Sequence, residues 1–132
     1  PLAPVSYSAA AIEMIVHLSV WPRVEVLMNH AGASGAIVRA LMTSNGHDRA
    51  GENDAPVTGL VIAATGNGTI HRDLEEALLS AQASGVAVVR ATRCPMGRVI
   101  STPDARIPDS KGLSPVKARI ALMLALVTGL PA

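Results

Sequence analysis

Apolar and polar positions fall into blocks along the chain, and the blocks predict strands and helices by turns. Val24 to Met28 is a short, β-branched run that ends at Asn29 and reads as a strand. From Gly35 to Thr43, Ile37, Ala40 and Leu41 form a helical stripe, with Val38 and Met42 one position round. Ser44 to Thr58 holds chain-breaking Asn and Gly residues with Glu52, Asp54 and Pro56, and reads as a polar surface loop. Gly59-Leu60-Val61-Ile62-Ala63-Ala64 is the clearest strand. It is apolar on both faces, as in a parallel sheet covered on each side by helices. It runs into Thr65-Gly66-Asn67-Gly68-Thr69. A helix follows, with Leu74, Ala77, Leu78 and Ala81 on one face, Arg72, Asp73, Glu75, Glu76 and Ser80 outside, and Gly85 as its C-cap glycine.

Val86 to Val89 predicts a third buried strand, and Arg90 to Leu113 an irregular stretch with Pro95, Gly97, Pro103, Pro108 and Gly112. Ser114-Pro115 pairs an N-cap with proline at the first helical position. The last helix then runs to Thr128 and stops at Gly129 and Pro131. Upstream, Ala9 to Val20 predicts a short helix that Pro22 halts. Residues 1–22 therefore read as a linker or N-terminal edge segment and residues 23–132 as one domain. The order β-α-β-α-β-loop-α predicts an α/β fold: a small three-layer parallel sheet of about four strands flanked by helices, Rossmann- or flavodoxin-like.

Composition narrows the function classes. With 49% hydrophobic residues the 132-residue chain is no polyelectrolyte or disordered segment. It has no Phe, one Tyr and one Trp, so aliphatic side chains must fill its core. Eleven basic against ten acidic side chains leave a net charge of +1, which argues against a nucleic-acid partner. The single cysteine, Cys94, rules out an internal disulfide and a Cys-rich zinc site. His17, His30, His47 and His71 show no pair at ligand spacing, so no metal is expected. The longest apolar run, Ile120 to Val127, is far short of the roughly 20 residues that cross a bilayer, so no membrane partner is expected. Ala9 to Trp21 is interrupted by Glu13 and His17 without a basic flank, so it is no signal peptide. The compartment, cytoplasm or periplasm, stays open.

Candidate chemistry lies beyond the carboxyl ends of the strands, where open parallel sheets bind ligands. The loops there are Asn29 to Ser34, Thr65 to His71 and Ala91 to Arg98. In the middle one, Gly66 and Gly68 permit positive φ and close approach of the backbone to a ligand. Thr69 is expected at the helix N-terminus, where free N–H groups suit a carboxylate or phosphate. The commoner reading of such a loop is a tight β–α turn with Thr69 as a plain N-cap. A dinucleotide fingerprint fails: His71 stands where its third glycine belongs, and Val88-Val89-Arg90 where its acidic residue belongs. Cys94 lies near Arg90 and Arg93 but has no identifiable base, so a structural cysteine is expected. Asp104 and Asp109 are acids in a Pro-rich stretch, where water is the usual partner. Ile120 to Val127 is apolar nearly all round its helix, which predicts burial against the sheet on one side and another chain on the other.

Three segments carry a resemblance: Gly59 to Thr69, Val86 to Val99 (VAVVRATRCPMGRV), and Leu113 to Arg119 (LSPVKAR). In this order and spacing they resemble the C-terminal domain of bacterial L-asparaginases, over roughly residues 22 to 128. The resemblance implies an amidohydrolase that converts L-asparagine to L-aspartate and ammonia with no metal or organic cofactor. It implies that the catalytic threonines and a Lys–Asp pair sit in an N-terminal domain, while the C-terminal domain of a neighbouring chain completes the site. The expected partners are L-asparagine or L-aspartate, that N-terminal domain, and further copies of the chain in a dimer or tetramer. Carried over by motif, the substrate-binding residues are Thr69 and Asn67 of the G-N-G-T turn and, counted on from Arg93, Asp104.

This chain has neither a T-G-G-T-I-A nor an H-G-T-D-T block, the family's catalytic threonine motifs. No catalytic residue is therefore assigned here, and the chain alone is expected to be inactive. Pro1 in place of Met leads to the expectation of truncation. The alternative from another class is a non-catalytic dimerisation or small-ligand-binding module of the same fold.

Overall fold

The computed structural model describes residues 6–44, 55–100 and 104–130. Three parallel strands form the sheet in the order β1 (Arg23–Met28), β2 (Val57–Ala64), β3 (Ala87–Thr92). The expectation of about four strands is corrected to three among the described residues. In register, Leu27 stands beside Ile62 and Ile62 beside Arg90, with one irregularity between Arg23 and Val24. β2 is central, and its residues from Gly59 to Ala64 are all buried, which explains its run of apolar residues without polar alternation.

Side chains of successive β2 residues point to opposite faces, and each face has its own core. Leu60 and Ile62 pack with Leu27, Val88 and Ile107 against helices α2 (Ala36–Ser44) and α3 (Arg72–Ala83), which contribute Val38, Leu74, Ala77, Leu78 and Ala81. Val61 packs with Val24, Ala91, Ala118 and Leu122 under helix α4 (Pro115–Thr128). Burying each such Leu, Ile or Val side chain contributes about 1.5–3 kcal/mol, so an aliphatic core suffices without aromatic rings. Gly59 lets α4 lie close: a Cβ there would sit 2.9 Å from Val24 Cγ2 and 3.1 Å from Leu122 Cδ2.

The helix α4 begins after Ser114, has Pro115 at its first turn, and ends at Gly129 with φ +68°. Its stretch from Ile120 to Val127 is apolar nearly all round, and helix α1 (Ala9–Val16) packs on α4 in addition to the sheet. Ile120 and Leu126 stay exposed. α1 is shorter than the expected Ala9–Val20 segment. Ser8 caps its start by accepting from the Ala11 N–H, and the Leu18 N–H closes a tighter bond to Ile15, unwinding the chain before Trp21-Pro22. Residues 45–54 of the expected polar loop lie outside the described residues, while Val57 and Thr58 open β2. No helix among the described residues is long and apolar enough to cross a membrane.

The packing of α2 against α3 is pinned by one acid. Asp73, in the first turn of α3, accepts from the Gly35 N–H at 2.7 Å and pairs with Arg39 at 3.3 Å. The Gly35 bond first, and Arg39 second, hold its carboxyl below the usual value.

Candidate functional site

The sequence places Asn29 and Thr92 at the carboxyl ends of the two strands that flank β2. Thr92 stands beside Ala64, and the Asn29 N–H donates to the Ala63 carbonyl. Between them β2 runs out into the turn Thr65–Thr69. The turn closes on itself: the Thr69 N–H donates to the Thr65 carbonyl at 3.0 Å, and the Gly68 N–H to the same carbonyl at 2.9 Å. Gly66 has φ +49° and Gly68 φ +89°, as expected for the two glycines.

Side chains from both neighbouring strands then grip this turn. Asn29, only 5% exposed, donates from Nδ2 to the Thr69 carbonyl at 3.1 Å and accepts the His71 N–H on Oδ1 at 2.9 Å. On the other side the buried Thr92 hydroxyl donates to the Gly66 carbonyl at 2.7 Å and accepts the Cys94 N–H at 3.1 Å. Arg90 reaches over from β3 to the Gly68 carbonyl at 3.4 Å, and its buried Nε has no partner among the described residues. Gly68 is buried with Val99 and Arg90 against it; a Cβ there would lie 2.9 Å from Val99 Cγ1 and 3.2 Å from Arg90 Cδ.

The expected site residues are placed as follows. Thr69 is exposed at the end of the turn, and among the described residues its hydroxyl has no partner. It is not an N-cap: His71 holds that position for α3, and Thr69 instead bridges Thr65 in a short antiparallel pairing. The correction has a backbone cause, since Asn29 captures the His71 N–H and sets the helix start two residues later. Asn67 is exposed beside Thr69, and its Oδ1 accepts the Ile100 N–H at 2.7 Å, which draws the segment after β3 onto the turn. Asp104 is exposed in that following segment, beyond residues 101–103, and bonds neither Thr69 nor Asn67 among the described residues. The next charged residue, Arg106, pairs instead with Glu75 on α3 at 3.6 Å. Thr69 and Asn67 thus share one turn, while among the described residues no bond ties Asp104 to it.

Cys94 is half-buried at the end of β3, with Pro95, Gly97 and the start of α4 around a cavity of about 240 Å³. Arg90 extends away from it toward Gly68. Among the described residues no group of three His, Cys, Asp or Glu side chains converges to hold a metal.

What the arrangement offers is a rigid platform with exposed hydrogen-bonding groups. The Thr69 hydroxyl can donate or accept, and the Asn67 amide nitrogen can donate while its oxygen is engaged by Ile100. Neither group is a nucleophile with an adjacent base. The turn can bind and orient a polar ligand; a bond-breaking group would have to come from elsewhere. Asn29 and Thr92 lie in the loops expected beyond the strand ends, but neither they nor Arg90 were given a part in holding the turn. For Asn29 and Thr92 the signal was a polar residue at the end of an apolar strand, level on both sides of the central one; Arg90 sits two residues back on β3, beside Ile62.

Against known proteins, the family model of the glutaminase/asparaginase C-terminal domain matches residues 23–131. L-asparaginase 2 of Escherichia coli is 36% identical over 112 residues, covering 80% of this chain and 28% of that protein. L-asparaginase 2 of Bacillus subtilis is 43% identical over 75 residues, covering 54% of this chain and 20% of that protein. The crystal structure of a probable cytoplasmic L-asparaginase from Campylobacter jejuni superposes with a TM-score of 0.72 at 28% identity, covering 85% of this chain and 34% of that one. The chain thus spans between a fifth and a third of the length of these relatives.

Proposed function

From the premise that the chain belongs to the glutaminase/asparaginase C-terminal domain family, we propose that it completes the substrate site of an L-asparaginase-like amidohydrolase. In this reading the hydrolysis of L-asparagine to L-aspartate and ammonia is carried by the catalytic threonines of a neighbouring chain's N-terminal domain. The present chain binds and orients: Thr69, through its hydroxyl, and Asn67 contact the substrate's polar groups, and Asp104 contributes as an acid of the segment after β3. No metal or organic cofactor takes part. Residues 1–22 serve as a linker or N-terminal edge segment of the domain at 23–132.

The observation that carries the reading is the turn itself. Two exposed polar side chains are held on a backbone gripped from both flanking strands, at the end of a parallel sheet where such folds bind ligands. Assembly with a second copy is supported by the apolar side chains left exposed on α1 and α4, among them Ile12, Val16, Val116 and Ile120.

The test is ammonia release from L-asparagine by the chain mixed with a separately produced N-terminal portion of a related L-asparaginase. Activity is expected on mixing, and Thr69→Val should raise KM about tenfold, the effect of losing one hydrogen bond to a polar substrate. An unchanged KM in Thr69→Val would remove Thr69 from the site.

A further inference from the structure

Resting on that reading, we propose that Asn29, with Thr92 opposite it, is a positioning residue for the reaction: it sets where Thr69 presents its hydroxyl. Thr69 has no packing of its own to fix it, being exposed. Its backbone is fixed instead by four bonds. Three are local: the Thr69 N–H donates to the Thr65 carbonyl, and the Thr65 N–H and hydroxyl each donate to the Thr69 carbonyl at 3.4 Å. The fourth and shortest to that carbonyl comes from 40 residues away, from Asn29 Nδ2 at 3.1 Å.

The same Asn29 side chain accepts the His71 N–H through its other end. One planar amide therefore spans the frame from Thr69 to His71 and fixes the peptide units on both sides of Ile70. Planarity makes the two bonds a matched pair, since moving one partner away strains the other. The buried location, 5% exposed, removes competing water and strengthens both. Thr92 does the equivalent for the far side of the turn, gripping the Gly66 carbonyl while its oxygen accepts the Cys94 N–H. A turn gripped from one strand only can pivot. Gripped from both, it holds the Thr69 hydroxyl in one place.

Asn is suited to this position because it supplies a donor and an acceptor from one short side chain. Asp keeps its shape and its acceptor for His71 but sets a carboxylate oxygen against the Thr69 carbonyl. Protonating the introduced carboxyl restores a donor. Buried groups of this kind titrate above their usual value, so the restoration falls within a workable pH range.

The experiment uses the chain mixed with the asparaginase N-terminal portion and compares Asn29→Asp, Thr92→Val, Thr69→Val and the double variant Asn29→Asp/Thr69→Val. At pH 8 both Asn29→Asp and Thr92→Val are expected to raise KM for L-asparagine by about tenfold, the scale of one misplaced hydrogen bond, with kcat within twofold. The Asn29→Asp defect, relative to the unsubstituted chain at each pH, should shrink as pH falls toward 5. The double variant should be little worse than Thr69→Val alone, because a misplaced hydroxyl and a missing one cost the same contact.

A residue that merely staples the fold would lower the melting temperature and leave KM, its pH profile and the coupling unmoved. Such a result in Asn29→Asp and Thr92→Val, with Thr69→Val still raising KM, overturns the inference and leaves the proposed function standing. An unchanged KM in Thr69→Val overturns the reading of Thr69 itself, and the inference with it. Thr92→Val, which preserves volume, decides the matter should Asn29→Asp fail to fold.

Discussion

Replacing Gly68 with Ala should damage this domain well beyond replacing Gly66 with Ala, two residues away in the same turn. Both glycines have positive φ, but their surroundings differ. At Gly66, with φ +49°, an added Cβ meets nothing within 4 Å. The cost there is that of a left-handed L-residue, about 1 kcal/mol. At Gly68 φ is +89°, further from the left-handed well, and the Cβ would lie 2.9 and 3.1 Å from the two Val99 methyls and 3.2 Å from Arg90 Cδ. Val99 is β-branched and stiff at χ1, so it yields only by moving its backbone. That backbone is tied by the Ile100 N–H to Asn67 Oδ1, a bond that must lengthen as Val99 retreats. Overpacking of this kind costs about 1–3 kcal/mol, which with the conformational term gives about 2–5 kcal/mol for Gly68→Ala. Urea denaturation of the two variants beside the unsubstituted chain measures both. The Gly68→Ala midpoint should fall by at least twice the Gly66→Ala shift. Equal shifts would refute the steric part of the reasoning, and with it the close approach of the 99–100 segment to the turn.

Further outcomes follow from the same packing. Leu122→Ala, at 4% exposure between α4 and the sheet, should cost about 2–5 kcal/mol in urea unfolding, whereas Ile120→Ala, 48% exposed two residues away, should cost under about 1 kcal/mol. The carboxyl of Asp73 is held below its ordinary value by the Gly35 N–H and Arg39, so its stabilisation is complete above that ordinary value and is lost as pH falls through the lowered one. Asp73→Asn should therefore flatten the acid limb of unfolding midpoint against pH; an unaltered limb would show that this acid does not pin α2 to α3. Sedimentation of the chain should reveal self-association that Ile120→Asp abolishes, and a monodisperse monomer at high concentration would remove the apolar α1–α4 face from the proposed assembly.

The parallel sheet was legible because its signal is local. An unbroken apolar β2, helices with one apolar face, and Ser114-Pro115 and Gly129 as punctuation each follow from neighbours in sequence. The helix starts and ends were read less well where side chains from elsewhere decide them. Periodicity put Thr69 at the start of α3, but Asn29, forty-two residues before His71, takes the N–H that sets it. The site divides in the same way. The glycines and exposed polar residues of the turn stand out in the string of residues, since positive φ selects glycine. The residues that hold the turn do not, because Asn29 and Thr92 matter only once parallel pairing brings the ends of β1 and β3 level with the end of β2. Asp104 was reached by counting along a proline-rich segment, and counting gives no direction for a side chain.

The central claim is that this chain supplies the supporting half of an amidohydrolase site. Ammonia release from L-asparagine, measured with the chain alone, with an asparaginase N-terminal portion alone, and with the two mixed, tests it most directly. The account predicts activity well above either part only in the mixture, and its loss of affinity in Thr69→Val. Turnover by the chain alone, or a mixture no more active than its parts, would contradict it.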